Sequence, residues 1–215
     1  MKISNEDNME LMSRYEDNYF DLAIVDPPYG IDESNNNDFG KKTKNSATKK
    51  TNYTKKNWDK TTPTKKYFQE LLRVSKNQII WGVNNFDYNF KSGRIFWDKD
   101  IPKNFYSSSK GEIAFKSLGK SIDLIKITWN GMLQHDMKNK EVRIHPTQKP
   151  VKLYEWLLMN YAKEGDKILD THLGSGSIAI ASHNLGYDLT ACELDKEYYD
   201  SAMKRIKQHQ QQLTI

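Results

Sequence analysis

Apolar residues along the chain come in short, abrupt runs separated by turn-forming and charged stretches. Asp21-Leu22-Ala23-Ile24-Val25 stops at Asp26-Pro27-Pro28 and predicts a short buried strand, because proline cannot donate to a sheet ladder. From Lys65 the period changes. Phe68, Leu71, Leu72 and Ser75 fall at helical spacing, and Gln78-Ile79-Ile80-Trp81-Gly82 follows as another buried strand. Arg94–Trp97, Glu112–Phe115 and Ile122–Ile127 predict three more strands between Gly/Ser/Lys loops. After Pro150, Val151, Tyr154, Leu157, Leu158 and Tyr161 share one face of a helix that has a proline at its start. Lys167–Asp170 then predicts a strand, followed by a glycine-rich turn and a helix ended by Gly186. Asp188–Cys192 is a further strand, and Asp195 opens a last helix. Strand, turn, helix and strand form a βαβ unit, so the class is α/β with a largely parallel sheet.

Composition narrows the possibilities. The chain has 215 residues and a formal net charge of +5, which suits a single domain spanning 1–215. Its mean hydropathy of −0.84 and the absence of a long apolar run argue against a membrane span. The first residues lack the apolar stretch of a signal peptide, which points to a cytoplasmic protein. A lone cysteine, Cys192, excludes an intrachain disulfide framework and a cysteine-built zinc site. The charge is uneven. Residues 41–66 hold ten lysines against Asp59 alone, a net of +9, so everything outside that segment sums to −4. Residues 31–64 are rich in Asn, Lys, Thr and Ser and predict a loop that either contacts a polyanion or stays unfolded. Lysines 41, 42, 44, 49, 50, 55 and 56 are suited to phosphate contacts (Lys41, Lys42, Lys44, Lys49, Lys50, Lys55, Lys56), although 28 Lys against five Arg also makes lysine-rich loops unremarkable here. Residues 99–140 are a second candidate region for recognising a target.

Two segments carry candidate chemistry. Asp170-Thr171-His172-Leu173-Gly174-Ser175-Gly176-Ser177 joins a strand to a helix, where glycines let the backbone approach a ligand and helix N–H groups face it. Glu193 ends the next strand and is suited to accept from ribose hydroxyls. Asp26-Pro27-Pro28-Tyr29 sets a carboxylate beside a backbone that can only accept hydrogen bonds, with an aromatic face next to it. That combination suits an exocyclic amine on a planar base turned out of its helix.

Asp26-Pro27-Pro28-Tyr29 resembles the catalytic tetrad of S-adenosylmethionine-dependent DNA amino-methyltransferases, and Asp170–Ser177 is similar to their cofactor loop, with Thr171 and His172 in place of Pro and Phe. His145-Pro146-Thr147-Gln148-Lys149-Pro150 resembles the motif that precedes that loop in the permuted β group. The resemblance implies a circularly permuted Rossmann-like methyltransferase fold with a mostly parallel seven-stranded sheet of order 3-2-1-4-5-7-6. In it Lys2–Ser4 would be strand 3, Asp188–Cys192 strand 2, Lys167–Asp170 strand 1, Asp21–Val25 strand 4 and Gln78–Gly82 strand 5. It further implies catalysis by Asp26, Pro27, Pro28 and Tyr29, and S-adenosylmethionine held by Asp170, His172, Leu173, Gly174, Ser175, Gly176, Glu193, Thr147 and Lys149 without a metal. Double-stranded DNA is the implied partner, from a bacterial or phage-like source, acting as monomer or homodimer within a restriction–modification pair or alone. The tetrad favours the N6 amine of adenine. N4 of cytosine, or a non-catalytic nucleic-acid-binding subunit on this fold, remain open.

Overall fold

The computed structural model describes residues 1–32, 56–91, 93–102, 109–130 and 133–212. The strands are β1 (Lys2–Ser4), β2 (Phe20–Val25), β3 (Ser75–Trp81), β4 (Arg94–Asp98), β5 (Gly111–Lys116), β6 (Ile122–Lys126), β7 (Trp129–Asn130), β8 (Leu133–Gln134), β9 (Lys167–Asp170) and β10 (Asp188–Cys192). The α-helices are α1 (Asn8–Ser13), α2 (Lys65–Val74), α3 (Val151–Tyr161), α4 (Ser177–Leu185) and α5 (Lys196–Gln212). The main sheet runs β1-β10-β9-β2-β3-β5-β4-β6, while β7 and β8 pair as a separate hairpin. Among the described strands of the main sheet only β5 is antiparallel to its neighbours, and β7 and β8 are antiparallel to each other.

This corrects the seven-stranded expectation by one strand. The first seven positions follow the expected order, and β6 adds an eighth strand at the edge, parallel to β4 with Arg94 opposite Ile122 and Asp98 opposite Lys126. Its outer residues Ile122 and Leu124 are exposed, as the open rim of a sheet allows. Two strands of the main sheet, β5 and β6, therefore lie inside the 99–140 region expected to recognise a target. The short α1, capped by Asp7, which accepts from Met9 N–H at 2.7 Å, was not foreseen, since six residues carry little periodicity.

The centre of the sheet is covered on both faces, which is why β2 and β9 are apolar without alternation. Leu22 and Ile24 join the layer that packs on α3 and α4 through Leu153, Leu157 and Ile178. Ala23 and Val25 face the opposite layer, where Met12, Phe68 and Leu71 belong to α1 and α2. The functional consequence lies in one register. β2 and β9 are parallel neighbours, with Leu22 opposite Ile168 and Ala23 opposite Leu169. Asp26 and Asp170, 144 positions apart in sequence, thus leave the sheet at the carboxyl ends of adjacent strands. Among the described residues no helix is long and apolar enough to cross a membrane.

Candidate active site

After β2 the chain turns through Asp26-Pro27-Pro28-Tyr29-Gly30. Neither proline has an N–H, so the first donors after Asp26 are those of Tyr29 and Gly30. Asp59 Oδ1 accepts both, at 2.8 and 3.0 Å, from a side chain that is 2 % exposed. The lone acid of the lysine-rich segment thus fixes the turn. Gly82 makes room for it, because a Cβ there would lie 2.0 Å from Tyr29 Cε1, on a backbone already at φ +73°.

Side-chain charges then converge on Asp26. Lys149 Nζ lies 2.5 Å from Asp26 Oδ2, 2.9 Å from Glu112 Oε2 and 3.1 Å from the Tyr29 hydroxyl, so its three protons are all taken. The Tyr29 hydroxyl is 2.7 Å from Asp26 Oδ1 and 3.1 Å from Glu112 Oε2. Lys99 Nζ binds the other Glu112 oxygen at 2.6 Å. Burial pushes Asp26 above the usual carboxylate range, with Lys149 opposing and Glu112 adding to the rise. Burial would also raise Glu112, but the ammonium groups of Lys149 and Lys99 win and hold it at about 2. Burial alone would lower Lys149; the two carboxylates outweigh that and leave it firmly protonated. The backbone supports this lysine as well. Ser177 Oγ donates to Lys149 O at 2.8 Å and Trp129 Nε1 to Gln148 O at 2.8 Å.

The glycine turn after β9 is organised mainly by its own backbone. Asp170 accepts from His172 N–H at 3.0 Å, and burial in the sheet pushes its carboxyl up to about 8. Glu193 accepts from Gly174 N–H and from Asp195 N–H, both at 2.9 Å. Burial raises Glu193 too, and those backbone donors oppose the rise. The two glycines do different work. Gly174, at φ +53°, has nothing closer than 3.8 Å to an added Cβ, whereas a Cβ on Gly176 would meet Ile206 Cδ1 of α5 at 3.0 Å. His172 sits between Asn8 and Thr171: its Nε2 is 3.1 Å from Asn8 Nδ2 and its Nδ1 2.9 Å from Thr171 Oγ1. Burial lowers its pKa to about 3, so the ring is neutral. Thr171 Oγ1 in turn lies 2.7 Å from the Tyr67 hydroxyl. Cys192 is a buried strand residue, its thiol pushed up by burial and therefore not a nucleophile.

A cavity of about 340 Å³ joins the two halves. Asp26, Pro28, Thr147 and Lys149 line one end; His172, Leu173, Gly174, Ser175 and Glu193 line the other. Asp170 and Gly176 stand behind the wall, and Pro27 and Tyr29 lie off it. Residues 58 and 61–64 also line the cavity. Their base is tied down by Lys56, which binds Asp195 at 2.5 Å and Glu197 at 2.8 Å and lies 4.4 Å from the centre of the Tyr198 ring. Trp58 packs on His145, with ring centroids 5.1 Å apart. Its indole N–H is buried without a hydrogen-bond partner among the described residues. Of the expected phosphate-contacting lysines only Lys56 is described; Lys41, Lys42, Lys44, Lys49, Lys50 and Lys55 lie outside the described residues. Glu112 and Asp59 were missed from sequence. The available signals were an acid inside a strand and one acid among ten lysines.

Comparison with known proteins is consistent across sequence and structure. A family model described as DNA methylase matches residues 57–204, more than half of the chain. The type II methyltransferase M2.DpnII of Streptococcus pneumoniae is 29% identical over 150 residues, covering 70% of this chain and 49% of that protein. M2.LlaDCHI of Lactococcus lactis subsp. cremoris is 28% identical over 149 residues, covering 69% of this chain and 48% of that protein. The chain therefore spans about half the length of these curated relatives. A crystal structure of the M1.HpyAVI–SAM complex superposes with a TM-score of 0.55 at 21% identity, covering 95% of this chain and 98% of the other. The cytosine-N4-specific PvuII DNA methyltransferase gives 0.57 at 10% identity, covering 98% and 91%. Both likenesses concern the fold.

Proposed function

The chain belongs to the DNA methylase family, and from that premise we propose that it transfers a methyl group from S-adenosylmethionine to the N6 amine of adenine in duplex DNA. One observation carries the reading: the Asp26 carboxylate and the Gly174 turn face a single cavity from the ends of adjacent parallel strands. The cavity suits the cofactor, because Gly174 leaves its wall open to close approach and Trp58 has an unsatisfied donor that a ligand acceptor would use. His172, Leu173, Gly174 and Ser175 would hold it along the turn, Glu193 would take the ribose, and Thr147 the carboxylate end. The ammonium of Lys149 is spent on the opposite side, at Asp26. Asp170 and Gly176 serve the same group indirectly, by shaping the turn.

S-adenosylmethionine supplies a methyl already activated on a sulfonium sulfur. The protein's task is to make an aromatic amine attack it. Hydrogen bonds from that NH₂ to the Asp26 carboxylate and to a carbonyl of the proline turn favour a pyramidal nitrogen and stabilise the positive charge it gains. Holding nitrogen and methyl in line supplies much of the remaining effect. The nitrogen then loses a proton, for which Asp26 is the nearest base. Reaching the amine requires the base to leave its duplex. Lys41, Lys42, Lys44, Lys49, Lys50 and Lys55 supply phosphate contacts for that complex, which set salt dependence more than sequence, whereas Lys56 is withdrawn from that role because its ammonium is bound by Asp195 and Glu197. A DNA substrate and bacterial relatives such as M2.DpnII support a cytoplasmic location.

Incubating the protein with duplex DNA and methyl-labelled S-adenosylmethionine, then analysing nucleosides by mass spectrometry, tests this. N6-methyladenine is expected. N4-methylcytosine would overturn the choice of base, and label-free DNA would overturn the activity.

A further inference from the structure

The Asp26 end of the cavity poses an electrostatic problem. Methyl transfer from a sulfonium to an amine keeps a positive charge at the reacting atoms throughout. A carboxylate stabilises that charge, but Lys149 sits 2.5 Å from Asp26 and cancels it. An isolated Lys149–Asp26 pair would present almost no net charge to an incoming cation. Glu112 changes the sum. It lies 2.9 Å from the same ammonium, on the antiparallel strand β5, inserted between the strands that run parallel. With both acids ionised, as the Lys149 ammonium favours, Asp26, Lys149 and Glu112 sum to one negative charge, and Lys99 brings the four-residue cluster to neutral. Lys99 is one residue further out, bonded to the far oxygen of Glu112.

We propose that Glu112 is a positioning residue that acts through Lys149: by taking a share of that ammonium it leaves Asp26 with more of its negative charge, so that the site favours a cationic methyl donor over the neutral product left after transfer. The other groups near Asp26 do not supply that charge. The Tyr29 hydroxyl, pushed up by burial and by Asp26 and Glu112, stays neutral, as do Tyr67 of α2 and Tyr154 of α3. Asp170 of β9 is held toward its protonated form by burial. The geometry also suits product release, since a site selecting for the sulfonium cation loses part of its grip once the ligand becomes a thioether.

This inference rests on the proposed use of S-adenosylmethionine, and the test separates the two. S-adenosylmethionine and S-adenosylhomocysteine share the adenosine and the amino acid and differ in the methyl and its charge. Isothermal titration of both into wild-type protein and Glu112→Gln should show the variant losing about tenfold more affinity for the cation than for the thioether. A merely structural defect would weaken both ligands together, and that result, or no change, overturns the role of Glu112. Lys99→Met removes the outer cation and should move the ratio the opposite way; it decides the matter if Glu112→Gln does not fold. Wild-type protein that binds neither ligand would overturn the cofactor assignment and this inference with it. Binding of both, with a ratio that neither variant moves, would overturn this inference alone.

Discussion

The two ends of the cavity are built from different materials. At the Asp26 end, four charged side chains from four separate segments alternate in sign: Asp26, Lys149, Glu112 and Lys99. At the Gly174 end, carboxylates mostly accept from backbone N–H groups, as Asp170 does from His172 and Glu193 from Gly174 and Asp195. The difference follows from the chemistry each end has to do. A site for a reacting amine needs a charge whose strength can be set, and side chains from distant segments set it. A site for a cofactor needs shape and oriented dipoles, and a tight turn supplies both from a few consecutive residues. Breaking the first end should therefore remove reaction while sparing binding, and breaking the second should do the reverse.

The largest separation is expected for Asp26→Ala. Methyl transfer should fall by about 10³-fold or more while S-adenosylmethionine still binds within several-fold of wild type. Calorimetry beside single-turnover kinetics checks this, and undiminished turnover would refute the role of Asp26. Next comes Asp59→Ala. It removes the acceptor of two partly buried N–H groups and touches no charge in the Asp26 cluster. Turnover should drop by about 10²-fold, with stability falling by about 2–3 kcal/mol as the turn loses its anchor. Asp59→Asn, which keeps a carbonyl oxygen at the same position, should recover most of both losses. Thermal unfolding and initial rates measured on the same preparations would reveal a variant that loses only one.

How much of this was legible before the structure depends on how far apart the contributing residues lie. Asp26-Pro27-Pro28-Tyr29 and the Gly174 turn are local. Their chemistry is written in consecutive residues, and the strand-to-turn breaks around them were visible in the apolar pattern. The strand pattern between Arg94 and Ile127 was legible too, as three strands, although the resemblance offered places for only two; β6 is the extra one. Glu112 and Asp59 could not be read in this way. Each acts on a partner 30 or more positions away, Asp59 on Tyr29 and Glu112 on Lys149. In sequence they are an acid in a strand and an acid in a lysine run. Lys149 was legible as a site residue, but its partner was not: only the three-dimensional arrangement shows its protons committed to Asp26, Glu112 and Tyr29.

The Gly174 end gives a prediction in pH rather than in rate. Asp170 has its carboxyl pushed up to about 8 by burial, from an ordinary value of 3.8. The folded state therefore binds this proton more tightly than the unfolded chain between those two values, and stability falls as pH rises through that window. Asp170→Asn keeps an oxygen for the His172 N–H but has no proton to lose. Its melting temperature relative to wild type should rise by several degrees between pH 4 and pH 8. A constant difference would mean that Asp170 is ionised in the fold, held by the turn's donors.

The smallest effect should come from Lys56, which ties down a segment that lines the cavity. This lysine pins residues 56–64 to the start of α5 through Asp195 and the largely exposed Glu197, and ion pairs of that exposure are each worth about 1 kcal/mol or less. Lys56→Met keeps the alkyl stem against Tyr198 while removing the charge. Cofactor affinity should weaken by about two- to fivefold, with kcat nearly unchanged. In wild type the same loss should appear as salt is raised, and the variant should be flatter in salt. Should the variant instead lose turnover with affinity intact, that segment would belong to the Asp26 end through Asp59, and Lys56 would serve the reacting side of the cavity.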